Sequence, residues 1–342
     1  MQNKQTRDRA NDFIHIVYAL DESSAALALI SVGSIVKQSM EPRRLYFHFI
    51  LMDLSWDDDF LDTISNTVGG GNARFEAKTW SPIPVVVGTM TVRGKNPERY
   101  PVASFALIYV GVLFPALNRY IFLDNTIFSV SSIDSLWDVS LDHRAVGMVQ
   151  QCNDDFRENV IRRKFFNVKH PAVKAVFKSL KGMCYPSEGV VLVDQDLLNK
   201  MNYVARIEAW IALNEKEFVF QFGVHQLMVM ATWDNNCLPL EDRWNGMMSS
   251  RTRTADVSLM HFNGPADHRF ILSTMDRIIM LTNKSNHSKY INHYTACQES
   301  LDELTEQWCK AAVQVFEQPR FKRLFSNSAS STFLRSAVSC QY

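Results

Sequence analysis

At 342 residues the chain is long enough for two average domains, or for one large α/β domain with extensions. Lys plus Arg and Asp plus Glu each number 36, so the net charge is zero with histidine neutral, and the basic footprint of a nucleic-acid binder is absent. A hydrophobic share of 46% against 21% charged is that of an ordinary globular protein, which excludes a disordered or fibrous chain.

Residues 1–12 carry Lys4, Arg7, Asp8, Arg9 and Asp12 without an apolar stretch, and read as an amino-terminal arm, not a secretory signal. From Phe13 to Leu20 the run is continuously apolar, which suits a strand buried on both faces. Asp21, Glu22, Ser23 and Ser24 end it, and helical spacing follows from Ala25 to Gln38. Leu45 to Met52 is a second strand, rich in aromatic and β-branched residues. Asp57, Asp58 and Asp59 then open a helix to about Val68, where acids suit a helix amino terminus better than a metal site. Gly69, Gly70 and Gly71 follow a helix and precede the strand Arg74–Trp80, so they read as a turn and not as a phosphate loop. This order opens a doubly wound parallel sheet, in which ligands bind outside the carboxyl ends of the strands. Asp21 falls at such an end.

A helix is expected from Val102 to Leu117, and the apolar stretch Phe105–Leu117 is too short to span a bilayer. Arg119 to Leu123 is a strand that delivers Asp124 at its end, followed by Asn125 and Thr126. Leu136 and Trp137 come next, then a strand over Ala145–Val149, a polar basic stretch over Asp154–Lys164 and a strand over Gly189–Asp194. Helices are expected over Gln195–Asn214 and Gly223–Thr232, with His225 on the second as a core or interface residue. Near the carboxyl end, Ser300 and Glu303 form a capping box, and Leu301, Leu304, Trp308, Ala311 and Val315 recur at helical spacing. That helix either packs back on its own domain or meets a partner. Arg320–Tyr342 reads as a loose tail, basic and then Ser-rich.

The six cysteines show no paired CxxC spacing and suggest neither a zinc site nor a disulfide framework. The default expectation is therefore an intracellular, reduced protein, cytoplasmic unless an organelle holds it, with no membrane span. A Gly-x-Ser-x-Gly elbow is absent.

Several pieces, in order, resemble family 8 glycosyltransferases, especially the plant galacturonosyltransferase-like branch. His15–Asp21 is similar to the family's first strand, Tyr46–Ile50 to its second, and Tyr120–Asp124 with Leu136 and Trp137 to its metal motif and anchor. Gly147–Phe156 with Cys152, Cys184 and Tyr185 before Gly189 and Val190, Asp242–Asn245, and His261–Gly264 complete the set. The resemblance implies a GT-A (Rossmann-like) α/β fold, with a mostly parallel central sheet flanked by helices. It also implies a UDP-sugar donor, a Mn2+ ion and retention of anomeric configuration. The corresponding division is an arm over 1–12, a transferase domain over 13–270, and a helical extension with a Ser-rich tail over 271–342. Cys152 and Cys184 take places that in the family serve packing, not nucleophilic catalysis.

The resemblance also names a donor site: Leu20, Asp21, Ser24, Leu107, Asp124, Asn125, Ser187, Gln221, Gly264 and Asp267, with Asp124 and His261 as metal ligands. Several of these depart from the family pattern. Thr126 replaces the second metal-binding acid, and Ser24 replaces an aromatic that stacks on uracil, a contact worth roughly 1–3 kcal/mol per base. Leu107, two before Tyr109, stands for an arginine, Ser187 for an asparagine, Gln221 for an acid, and Asp267 for a lysine that meets the diphosphate. Arg269 is a candidate substitute for that lysine. Asp124 can also be a turn cap and His261 a core histidine. Two readings follow: a degenerate family 8 protein kept as a structural or binding subunit of an assembly, with partner contacts through the extension, or an active hexosyl- or uronosyl-transferase with a weakly held Mn2+.

Overall fold

The computed structural model describes residues 13–21, 24–52, 59–68, 73–81, 102–155, 166–179, 184–217, 219–220, 224–232, 237–247, 257–262, 307, 309–312 and 315. Asp57, Asp58, the glycines at 69–71, Gln221, Gly264, Asp267, Arg269, the capping box and the tail lie outside these residues.

A seven-stranded sheet in the order β3-β2-β1-β4-β7-β6-β8 forms the centre. Its strands are β1 (Ile14–Leu20), β2 (Leu45–Met52), β3 (Arg74–Trp80), β4 (Arg119–Leu123), β6 (Val146–Asp155), β7 (Cys184–Asp194) and β8 (Leu238–Leu240). The first four of that order pair in parallel, and β7 runs against both β4 and β6. A second sheet joins β5 (Ile127–Ser129), β10 (Leu259–His261) and β9 (Gly246–Met247). The expected mostly parallel α/β architecture is present.

Alternation along each strand feeds two apolar layers. Ile14, Ile16, Tyr18 and Leu20 of β1 join Leu45, Phe47, Phe49 and Leu51 of β2 in one. Val17, Ala19 and Ile50 point into the other, with Phe105–Val110 packed there. Burying each large apolar side chain contributes about 1.5–3 kcal/mol, so both faces of the sheet are anchored. Helix α1 (Ala25–Gln38) is buried nearly all round, and its alanines let it lie close against the sheet and β5. Helix α2 (Asp59–Val68) packs beside it. At the far end of the chain, Cys309, Ala312 and Val315 are buried in the first layer with β1 and β2. This segment of the extension therefore packs on its own domain.

Four expectations are corrected. Residues 102–117 do not form one α-helix: Val102–Tyr109 is a 3-10 turn leading to the short helix α3 (Val110–Leu113). Pro115 explains the stop, since its ring drives the preceding residue out of helical space, and Phe114 sits at φ −125° and ψ 71°. After α4 (Asp134–Trp137) and α5 (Pro171–Ser179), the helix expected over 195–214 is two, α6 (Gln195–Lys200) and α7 (Tyr203–Lys216). Asn202 breaks it in the left-handed region at φ 54°, which Asn tolerates better than most residues. Helix α8 (Val224–Ala231) stands where expected. β6 and β7 are longer than their expected strands, so Asp154 and Asp155 belong to β6. The cysteine reading changes too: Cys184 and Cys309 are disulfide-bonded, so they hold structure together by covalent cross-links and not by packing alone. Cys237 is the free thiol among the described residues, and burial pushes its pKa up to about 12, which leaves it inert.

Candidate functional site

Register brings the expected donor residues to one sheet edge. β1 and β4 pair in parallel through Ile16 with Ile121 and Val17 with Phe122, so both strands end on the same side. Asp21 leaves β1 there and Asp124 leaves β4. Asn125 ties the two ends by donating its side-chain amide to the Ala19 carbonyl at 3.2 Å. Leu20 is fully buried beneath them and is a core residue.

His261 arrives from the second sheet. β10 pairs with β5 so that His261 lies opposite Ile127, and the Phe262 amide donates to the Thr126 carbonyl at 3.3 Å. This sets His261 Nε2 at 3.9 Å from Asp124 Oδ1, with the imidazole buried and the carboxylate largely so. Gly189 makes the approach possible. Its carbonyl accepts from the Asp124 amide at 2.9 Å, and a Cβ on it would run into the His261 ring. Asp124, Gly189 and His261 are therefore one packed unit.

The carboxylates at this edge are engaged by their own neighbours. Asp124 Oδ1 accepts from the Thr126 amide at 2.8 Å and from the Thr126 hydroxyl at 2.5 Å. Thr126 is buried, so its hydroxyl is committed to that bond. Asp21 Oδ1 likewise accepts from the Ser24 amide and hydroxyl, both at 2.9 Å, and the Asp21 amide donates to Ser24 Oγ at 3.0 Å. Both are short Asx-type turns, in which an acid satisfies the backbone two or three residues on. Tyr18, beneath them, has its pKa raised by burial, with a smaller push from the Asp124 charge, and shares a hydrogen bond with Ser31 at 2.7 Å.

The remaining expected residues are placed as follows. Leu107 is buried in the second apolar layer, so the position matched to an arginine presents no cation. Its neighbour Tyr109 hydrogen-bonds Glu208 at 3.2 Å, and burial pushes the phenol up to about 12. Ser187 is buried and accepts from the side-chain amide of Asn245. Sequence reading took Asn245 only as part of a landmark and missed this partnership, which joins two segments distant in the chain. Gln221, Gly264 and Asp267 lie outside the described residues. Among the described residues, no group of three His, Cys, Asp or Glu is placed to hold a metal ion. Asp124 and His261 remain as two candidate ligands, and the carboxylate oxygen nearest the imidazole already accepts two hydrogen bonds. That donor set does not fit a tightly bound divalent ion, which takes six or more oxygen-rich ligands. No helix among the described residues is long and apolar enough to cross a membrane.

The model for "Glycosyl transferase family 8" matches residues 15–266. Over 263 residues the chain is 25% identical to "Probable galacturonosyltransferase-like 6" of Arabidopsis thaliana, covering 73% of this chain and 72% of that protein. Against "Probable galacturonosyltransferase-like 4" of the same plant it is 25% identical over 272 residues, covering 76% and 74%. Among solved structures, the galactosyltransferase LgtC in complex with donor and acceptor sugar analogs aligns at a TM-score of 0.53 and 18% identity, over 75% of this chain and 89% of that one. The apo form of the glycosyltransferase GlyE in Streptococcus pneumoniae TIGR4 aligns at 0.53 and 12%, over 90% and 63%. At these identities the structural likeness shows the fold, the GT-A fold. With the ordered sheet, the Asp124–His261 pair and a family match over most of its length, this chain belongs to glycosyl transferase family 8 and is similar to its plant galacturonosyltransferase-like branch.

Proposed function

We propose that this family 8 chain is a catalytically silent member whose transferase domain, residues 13–270, serves as a structural or binding subunit of an assembly. In this reading the extension over 271–342, apart from the segment at Cys309, Ala312 and Val315 that packs on its own domain, supplies contacts to protein partners. The carrying observation is the Asp124–Thr126 turn. Where the family pattern places a second acid, a buried threonine spends its hydroxyl on the first. Asp124 and His261 are the residues that would hold a divalent ion, whose charge would offset that of a diphosphate. With one carboxylate, already hydrogen-bonded, the ion is held weakly or not at all. Ser24, engaged with Asp21, offers uracil no ring to stack on. Removing one preorganised electrostatic contact typically lowers a rate by roughly a hundred- to a thousandfold, and several losses in one site leave little catalysis.

One observation favours the second reading, an active hexosyl- or uronosyl-transferase using a UDP-sugar and Mn2+. Gly189 keeps His261 seated against Asp124, a geometry that a purely structural domain has no evident need to maintain. UDP release from UDP-glucose, UDP-galactose and UDP-galacturonate, measured with and without manganese, separates the two. The silent reading expects release at background and no change in His261→Ala. Manganese-dependent release that His261→Ala abolishes would establish the active enzyme. On compartment, the disulfides at Cys184 and Cys309 support an oxidising organelle over the cytoplasm, because cytosolic thiols are kept reduced.

A further inference from the structure

A second cluster of titratable groups lies on the same sheet, in the amino-terminal halves of its strands and away from Asp21 and Asp124. Three neighbouring strands each contribute one member. His15 of β1 lies beside Tyr46 in register, while His48 of β2 lies opposite Val17 of β1 and Glu76 of β3. His15 Nδ1 and His48 Nε2 are 2.8 Å apart, and His48 Nδ1 is hydrogen-bonded to the Glu76 carboxylate. His48 is 1% exposed, held between the Tyr46 ring, stacked at 4.4 Å, and the edge of Phe114 at 5.1 Å. We propose that the His15–His48–Glu76 chain is a proton-sensitive clasp that ties β1, β2 and β3 together and opens on acidification.

The hydrogen bonds define how the clasp works. An ionised carboxylate only accepts, so His48 Nδ1 donates to Glu76. The bond between the two rings needs one nitrogen bare and the other bearing hydrogen. With His48 neutral, its Nε2 accepts and His15 Nδ1 donates. The closed pair of rings therefore has room for at most one added proton, whereas two separate imidazoles in water take two. A second proton sets N–H against N–H at 2.8 Å and breaks the chain. Burial, and next the neighbouring His15 charge, lower the His48 pKa from 6.5 to about 3, in keeping with a ring that stays neutral while the clasp is shut. Charged and titratable groups beside the clasp include Tyr46 from β2 and Arg74 and Glu76 from β3. The Arg74 guanidinium lies 4.1 Å over the Phe13 ring, while Phe114 and Trp137 supply uncharged walls.

The sign follows by linkage. The open state binds one more proton than the closed state below the ordinary imidazole value, so clasp stability is complete above about pH 6.5 and is lost as pH falls towards 3. Each pH unit in that window multiplies the opening constant about tenfold. The test is hydrogen exchange on the full chain at pH 7.5, 6.0 and 5.0, corrected for intrinsic exchange, read on segments from β1 and β3. The expected result is opening in both that grows about tenfold from pH 6.0 to 5.0 in the wild type and loses that slope in His48→Phe. Equal slopes in both proteins overturn the clasp. If His48→Phe does not fold, nitrogen NMR of the wild-type imidazoles decides. His48 fixed as the Nδ1–H tautomer down to pH 5 supports the clasp, and ordinary titration near pH 6.5 overturns it.

Discussion

In the proposed reading, Thr126 is the residue at which the candidate site departs most consequentially from the family pattern. In Thr126→Asp, a second buried carboxylate meets Asp124 without a counter-ion, and like charges in a low dielectric repel. The expected outcome without metal is destabilisation of about 2 kcal/mol or more, read by chemical denaturation. Manganese should then recover stability in the variant and not in the wild type, because only the variant holds the fuller ligand set. At Gly189, the expected cost of Gly189→Ala is about 1–3 kcal/mol, since the new methyl must displace the buried His261 ring or shift β7. A variant as stable as the wild type would show that the His261–Gly189 packing is loose. The proposed losses were legible in the sequence as residue identities, since Thr126 and Ser24 sit within a few residues of clear landmarks. Their new partners were not. Nothing in the local sequence says that Asn245 donates to Ser187, because that bond joins segments brought together only by the fold.

At the scale of elements, apolar runs and helical spacing gave β1, β2, β3, α1 and α8 close to their observed bounds. The failures have local causes. Pro115 stops the helix after α3, and Asn202 turns the chain between α6 and α7. Both signals were present as single residues, and a long apolar period outweighed them. The direction of β7 was not legible, since a strand's polarity is set by its partners and not by its own residues. The cross-links were equally hidden, because disulfide pairing is a long-range contact that cysteine spacing does not encode in a chain of this size. Removing a native disulfide typically costs about 2–4 kcal/mol. Reduction by a phosphine should therefore lower the melting temperature measurably, and an unchanged melt would mean that the bonds at Cys184 and Cys309 do not form in the folded protein.

For the molecule as a whole, the proposed reading sets a retained fold against a changed donor site. The sheet delivers Asp21 and Asp124 to one edge, and the second sheet brings His261 to meet Asp124. The frame is specified by apolar periodicity and by many small contacts, so it survives the loss of individual polar groups. In the proposed reading the donor chemistry depends on a few charges and one stacking ring, and in their places the Thr126 and Ser24 hydroxyls hydrogen-bond Asp124 and Asp21 while Leu107 joins the core. Leu107 belongs to that core, so restoring an arginine there is expected to unfold the second apolar layer before it restores binding.

A thermal shift of the full chain with UDP and manganese, each alone and together, tests the silent donor site most directly. A ligand that binds only the folded state stabilises it by linkage, by about 2.7 kcal/mol at a hundred times its Kd, and so raises the melting temperature. The expected result is no shift at millimolar UDP and manganese. A shift that requires both together would show a live donor site at Asp124 and His261, and would contradict the reading of this chain as a silent member of its family.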